Sequence, residues 1–298
     1  MHVASVSYQL GEEKIAISDL FDNPDLIKKT GINHVYQTSK TTRDLAIAAA
    51  NGLDEKEFFD VDVVVLVTQS PDDFLPANSV QIAAELNISP NALVFDINQG
   101  CSGFVQAFVL AEKLLTAYEK ILIVTADRYR SKLNAGDRST SSVFSDGASA
   151  VLLTNESKKS ILFEEHLFDG HKRDWLFHSV DSSENRGCLH MSGAEIWMFT
   201  RSVVVPQIQK ALNYCELNDL TVSGIYIHQA SKLVVDGIVK MLGDYGPLVH
   251  QNYFKYGNTV SSTIPILMSE FPFDMNDNKV AVMAGFGVGL SSAVAIFG

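Results

Sequence analysis

Short β-branched runs that end in small or polar residues recur along the chain, at residues 61–68, 93–98, 121–125, 148–154, 224–227, 280–284 and 292–297. Continuous apolar runs of this length predict strands buried on both faces. Between several of them, residues 77–86, 103–118, 194–212, 232–242 and 262–270 carry apolar side chains at three-to-four spacing, which predicts helices with one face on a core. Strand and helix alternate, so the pattern predicts an α/β protein with a mostly parallel sheet covered on both sides.

The alternation runs twice. Residues 63–68 followed by Gln69-Ser70 resemble residues 225–227 followed by His228-Gln229-Ala230-Ser231. About thirty residues after each comes a small, polar helix opening, Asn98-Gln99-Gly100-Cys101-Ser102-Gly103 in the first half and Gly257-Asn258-Thr259-Val260-Ser261-Ser262 in the second. A strand then follows each, and Asp146-Gly147-Ala148-Ser149-Ala150-Val151 corresponds to Gly287-Val288-Gly289-Leu290-Ser291-Ser292-Ala293-Val294. One supersecondary plan used twice predicts two halves, 1–160 and 161–298, joined at the polar stretch Asn155-Glu156-Ser157-Lys158-Lys159-Ser160 and packed into one body.

Composition narrows the function classes. With 298 residues, 46% hydrophobic and 19% charged, the chain can bury a large core, and neither disorder nor a collagen-like repeat fits. Its 35 acidic against 23 basic residues give a net charge of −12, so any phosphate-tracking surface must be local and nucleic acid is not an expected partner. Cys101, Cys188 and Cys215 are odd in number and lack CxxC or Cys/His spacing, which suits a reducing compartment and implies neither a disulfide framework nor a metal site. The N-terminus has no basic flank before an apolar core, and no apolar run reaches the ~18–20 residues that span a bilayer. The expectation is a cytoplasmic, soluble protein.

Three residues at strand-to-helix turns carry the candidate chemistry. Cys101 follows an apolar strand and opens a helix rich in Phe, Val, Ala and Leu. A thiol there meets the positive end of the helix dipole and unpaired N–H groups, which favour the thiolate, while Gly100 and Gly103 allow a tight turn and close approach of a substrate. His228 ends a strand at the corresponding turn of the second half, and Asn258 stands about thirty residues later. Alone, each is ordinary: a histidine after a strand is commonly a satisfied structural residue, and Asn after Gly is usually turn chemistry. In open α/β sheets, however, ligands gather beyond the strand carboxyl ends, and duplication would bring all three turns to one crevice.

On these residues the whole chain resembles the β-ketoacyl-acyl-carrier-protein synthase III family of the thiolase superfamily. Asn98-Gln99-Gly100-Cys101-Ser102-Gly103-Phe104 is similar to the nucleophile motif, Ile227-His228-Gln229-Ala230-Ser231 to the histidine motif, Gly257-Asn258-Thr259 to the asparagine motif and Gly285-Phe286-Gly287-Val288-Gly289 to the C-terminal glycine-rich loop. Thr30-Gly31-Ile32, Arg138-Ser139-Thr140, Phe144-Ser145-Asp146-Gly147 and His190-Met191-Ser192-Gly193 match secondary landmarks. The resemblance implies a duplicated, thiolase-like αβαβα five-layered fold, a homodimer, acyl carrier protein as partner and no cofactor beyond acyl and malonyl thioesters of the carrier or coenzyme A. It also implies that Cys101 takes the acyl group while the N–H groups of Cys101 and Val288 hold the oxyanion. His228 and Asn258 would then stabilise the enolate left when a malonyl thioester loses carbon dioxide, giving a 3-oxoacyl thioester.

Leu75, Arg138, Lys232, Phe286 and Gly287 are expected along the substrate pocket or at the carrier contact, with Arg128, Arg130 and Lys132 as further basic candidates for an acidic carrier. The loop Ala284-Gly285-Phe286-Gly287-Val288-Gly289-Leu290 lacks the second cysteine of reversible thiolases. Asp25 and Lys29 stand where the family commonly has a tryptophan and an arginine for coenzyme A, and Leu233 where a basic residue often follows the histidine motif, so a carrier-bound donor is expected. Two other readings use the same residues: acyl transfer to an alcohol or amine with His228 as general base, and a noncatalytic partner in a heterodimer.

Overall fold

The computed structural model describes residues 1–58, 60–178, 188–274 and 278–298. Two main sheets organise them. The first runs in the order His2–Leu10, Gly147–Thr154, Lys120–Asp127, Val63–Val67, Leu93–Ile97, and the second in the order Thr221–Ile227, Lys279–Gly287, Ser291–Phe297, Ile161–Phe168. Every strand predicted from the sequence is present. His2–Leu10 and Ile161–Phe168 were not predicted. Both lie at sheet edges with intermittently exposed residues, so they lack the continuous apolar signature of a doubly buried strand.

The sheets are mixed, which corrects the mostly parallel expectation. Val63–Val67 runs parallel to both its neighbours, and Thr221–Ile227 runs parallel to Lys279–Gly287. The remaining pairings in the two sheets are antiparallel. Only residues 288–290 connect Lys279–Gly287 to Ser291–Phe297, and so short a turn can join only antiparallel neighbours. A buried run looks the same in either direction, so the hydrophobic pattern could not distinguish them.

Helices Gly103–Leu114 and Thr263–Glu270 lie between the sheets and touch both. Thr42–Ala50 and Asn78–Glu85 cover the outer face of the first sheet, and Val205–Leu217 the outer face of the second. The result is five layers, α, β, α, β, α, with apolar cores between them. In the middle layer Phe104 and Phe108 are fully buried, with their ring centroids 5.7 Å apart, and Phe108 meets Phe297 edge-on at 5.4 Å. Burial of each such ring contributes about 1.5–3 kcal/mol.

The long helix predicted over 194–212 is a composite. Gly193–Phe199 and Val205–Leu217 are α-helical, and Thr200–Val204 between them takes one wider π turn. Pro206 explains the change of winding, because it has no N–H to donate and its ring crowds the carbonyl four residues earlier. Among the described residues, no helix is long and apolar enough to cross a membrane.

Candidate active site

Strand Leu93–Ile97 ends in the tight turn Asn98–Gly100, which delivers Cys101 to the start of the buried helix Gly103–Leu114. Two later segments close over it. A Cβ on Gly285 would stand 2.7 Å from the Cys101 carbonyl oxygen, and one on Gly287 would stand 3.1 Å from Cys101 Sγ. Glycine at both positions lets the strand Lys279–Gly287 lie directly against the thiol. Val288 follows, its Cγ1 only 2.9 Å from where a Cβ of Gly100 would be. Ser291 Oγ donates to the Val288 carbonyl at 2.7 Å and lies 2.7 Å from Ser102 Oγ, tying the glycine-rich loop to the Cys101 turn across the two sheets.

His228 extends its strand by one more ladder bond, its N–H donating to the Ala284 carbonyl at 2.9 Å. The imidazole is buried, with the Phe286 ring edge-on at 5.5 Å and Nδ1 2.8 Å from Thr263 Oγ1. The Thr263 hydroxyl has one proton and two acceptors in reach, the Val260 carbonyl at 3.2 Å and the closer Nδ1; given to Nδ1, it leaves the ring proton on Nε2, where the imidazole presents a donor. Burial pushes the His228 pKa down to about 3, so the ring is neutral through the physiological range.

Asn258 is held by its backbone, which donates to the Val143 carbonyl and accepts from Ser145 N–H, both at 2.9 Å. Gly257 supports the bend with φ +68°, and its missing side chain leaves room for Ser145 Oγ. Val260 N–H donates to Asn258 Oδ1 at 2.9 Å, which identifies the amide oxygen and leaves the Nδ2 donors unused on a buried residue that lines a cavity. Val260 leads in turn to Thr263, whose hydroxyl is 3.2 Å from the Val260 carbonyl. Asn258 and His228 are thus linked through Val260 and Thr263, while His228 and Cys101 are linked through Phe286 and Gly287.

The helix-start reading of Cys101 as a stabilised thiolate needs correction. Cys101 is only 5% exposed, and burial, then the charge of Asp127, push its thiol up, while its own backbone N–H pulls the other way. The group rests as a thiol. Asp127 itself is fully buried at the end of the strand Lys120–Asp127, where burial pushes its pKa up to about 7. It accepts from Gln69 N–H at 2.9 Å, Ser261 N–H at 3.3 Å and the Ser261 hydroxyl. Asp127, Thr263 and Ser291 were missed in the sequence. The available signal was the position of Asp127 at a third strand end, pointing to the same crevice.

The other expected residues scatter. Leu75 and the preceding Phe74 are 88% and 87% exposed. Lys232 is in an exposed ion pair with Asp236, and Arg130 turns inward to the Ser141 and Phe144 carbonyls, so neither offers a free surface charge. Arg138 and Lys29 line the mouth of a cavity of about 540 Å³ that reaches Asn258, Ala230 and Ser231 past Trp197 and Leu233. Asp25 is exposed on the neighbouring helix Pro24–Thr30. A second cavity, of about 380 Å³, lies against Val288, Asn98 and Gln69. Both cavities are walled by the turns that gather around Cys101.

Residues 95–170 match the family model described as 3-oxoacyl-[acyl-carrier-protein (ACP)] synthase III, and residues 213–298 match the one for its C-terminal part. A β-ketoacyl-[acyl-carrier-protein] synthase III of Streptococcus sanguinis is 30% identical, covering 92% of this chain and 91% of its own. One of Lactococcus lactis subsp. cremoris is 31% identical, covering 94% and 92%. The crystal structure of a 3-oxoacyl-(acyl-carrier protein) synthase from Burkholderia xenovorans superposes with a TM-score of 0.89 at 27% identity, covering 99% of this chain and 92% of that one.

Proposed function

The chain belongs to the 3-oxoacyl-[acyl-carrier-protein] synthase III family, and from that membership we propose that it joins an acyl group to a malonyl-type extender by decarboxylative condensation through Cys101, His228 and Asn258. In the first half-reaction, Cys101 Sγ attacks the donor thioester carbonyl. The new S–C bond replaces the donor's S–C bond, and in net terms the Cys101 proton leaves on the departing thiol. The Cys101 and Val288 N–H groups hold the intervening oxyanion. In the second, the malonyl thioester loses carbon dioxide and its electron pair passes into an enolate, whose oxygen takes hydrogen bonds from His228 Nε2 and Asn258 Nδ2. The enolate carbon attacks the acyl carbonyl, and Cys101 leaves as a thiolate and regains a proton.

The observation that carries this reading is a buried, neutral imidazole together with an Asn258 amide whose Oδ1 is already taken by Val260 N–H. An imidazole pushed down to about 3 by burial is a poor base for an alcohol or amine but a good hydrogen-bond donor to an enolate. That favours condensation over acyl transfer to oxygen or nitrogen.

The donor is proposed to arrive on a carrier protein. Lys29 and Arg138 give the mouth of the 540 Å³ cavity two cations for an acidic partner, while exposed Asp25 offers no platform for an adenine. Intact-protein mass spectrometry with acyl groups on carrier protein and on coenzyme A tests both statements. The expected result is an adduct on Cys101, faster from the carrier, that disappears with release of carbon dioxide and a 3-oxoacyl product when malonyl carrier protein is added. Tight saturation by free acyl-coenzyme A would overturn the donor assignment. An adduct that ignores the malonyl partner but moves to an alcohol or amine would overturn the condensation.

A homodimer is also proposed. Strand Leu93–Ile97 is the outer edge of its sheet, and Phe74 and Leu75 stand exposed on the loop that precedes helix Asn78–Glu85, which packs against that strand. An open edge beside bare large apolar side chains suits pairing with a second copy. Sedimentation is expected to read twice the monomer mass, falling to the monomer for Leu75→Asp. A monomeric parent protein at micromolar concentration rules the dimer out.

A further inference from the structure

The 380 Å³ cavity, like the 540 Å³ one, is bordered by cations on an acidic chain. The chain as a whole has 35 acidic residues to 23 basic ones, yet the described residues that line this cavity include Lys132, Arg173 and His178 and no carboxylate. Its inner end is the Cys101 turn: Gln69 and Val288 both crowd the place a Gly100 side chain would occupy. Tyr129 donates its hydroxyl proton to Gln69 Oε1 at 2.7 Å, which uses the acceptor of that amide and leaves its N–H donors for the cavity. Leu176 and Leu189 supply apolar sides between the inner and outer ends.

The outer end is cationic. Arg173 lies within 3.5 Å of exposed Asp174, which takes part of its charge. Lys132 sits on the short turn Tyr129–Lys132, half-buried, and among the described residues it has no hydrogen-bond or ion-pair partner. A half-buried ammonium facing a cavity that no carboxylate among the described residues lines is suited to an anion. In the proposed function the other cavity takes the thioester arm, since it is lined by Lys29 and Arg138 and reaches Asn258. The acyl chain on Cys101 is therefore left to occupy the second one.

We propose that the acyl group loaded on Cys101 ends in a carboxylate, held by Lys132 with Arg173, so that the donor is the monothioester of a dicarboxylic acid rather than a plain alkanoyl thioester. This rests on the acyl-Cys101 step of the proposed function. The bonds made and broken are those of that step: Sγ to the thioester carbonyl carbon, with the donor thiol leaving. The distal carboxylate takes no part in the chemistry and acts through binding alone.

The test compares matched pairs of thioesters on the same carrier protein, a monoacid and the diacid of equal length from four to eight carbons, by the rate of adduct formation on Cys101. For at least one length the parent enzyme is expected to favour the diacid by about tenfold or more, the size of one charge-assisted contact. Lys132→Met and the double variant with Arg173→Met should reverse that preference by slowing the diacid and not the monoacid, a split that a merely unstable variant does not produce. Faster reaction of the monoacid at every length, or a ratio unchanged in Lys132→Met, overturns the proposal while leaving the condensing function standing. No adduct from any donor removes both.

Discussion

Asn258→Ala is expected to lower decarboxylation of the malonyl thioester by about a hundredfold or more, the usual cost of losing one preorganised donor to a developing oxyanion. Acylation of Cys101 should stay within about threefold. The asymmetry follows from what each half-reaction uses: the donors proposed for acylation are backbone N–H groups at positions 101 and 288, whereas the Asn258 amide lines the cavity on the malonyl side. Asn258 also has a structural duty. Its Oδ1 accepts from Val260 N–H, and Val260 is a β-branched residue at φ +55°, a conformation that costs about 1–2 kcal/mol. Asn258→Asp separates the two roles, since it keeps the acceptor for Val260 and deletes the donors. Aspartate should therefore preserve the melting temperature better than alanine and still fail to decarboxylate. Equal losses of acylation and decarboxylation in both variants would count against the enolate role and for a purely structural one.

How much of this was legible in the sequence depended on distance along the chain. The doubly buried strands were readable because a run such as Val63–Val67 has no polar face to hide. The repeated plan placed Cys101, His228 and Asn258 at strand-to-helix turns, since each turn is a local matter of glycines and small polar residues. What failed was long-range. The thiolate expectation considered only the helix that Cys101 opens, and the charge that opposes it, Asp127, arrives on another strand through the sheet order. Thr263 beside His228 and Ser291 beside Ser102 are 35 and 189 residues away from their partners. Serines and threonines near turns are common, and nothing local distinguishes these two. Basic residues were likewise visible as a group around 128–138, yet the fold sends them apart: Arg130 inward to backbone carbonyls, Arg138 to one cavity and Lys132 to the other.

Cys101→Ala is expected to abolish the acyl adduct and to lower condensation by about ten-thousandfold or more, because removing a covalent nucleophile leaves only the binding and oxyanion contributions. Decarboxylation of the malonyl thioester should survive within about tenfold, since its proposed donors are untouched and the backbone N–H at position 101 remains. The fold should tolerate the change. Only Sγ is lost from a buried turn already packed by Gly285 and Gly287, so the void is about one atom and costs about 1–2 kcal/mol or less. The same burial governs the parent enzyme. A thiol pushed up by desolvation and by Asp127 should alkylate slowly with iodoacetamide at pH 7.5, and relieving the charge with Asp127→Asn should speed that reaction by about tenfold. An adduct in Cys101→Ala would move the chemistry to another cysteine. Of the two, Cys215 is buried on the helix Val205–Leu217 of the outer layer, and Cys188 is half-buried next to Leu189, which lines the 380 Å³ cavity. Retained condensation without any adduct would instead require direct attack of the enolate on the donor thioester, for which this buried thiol would serve no purpose.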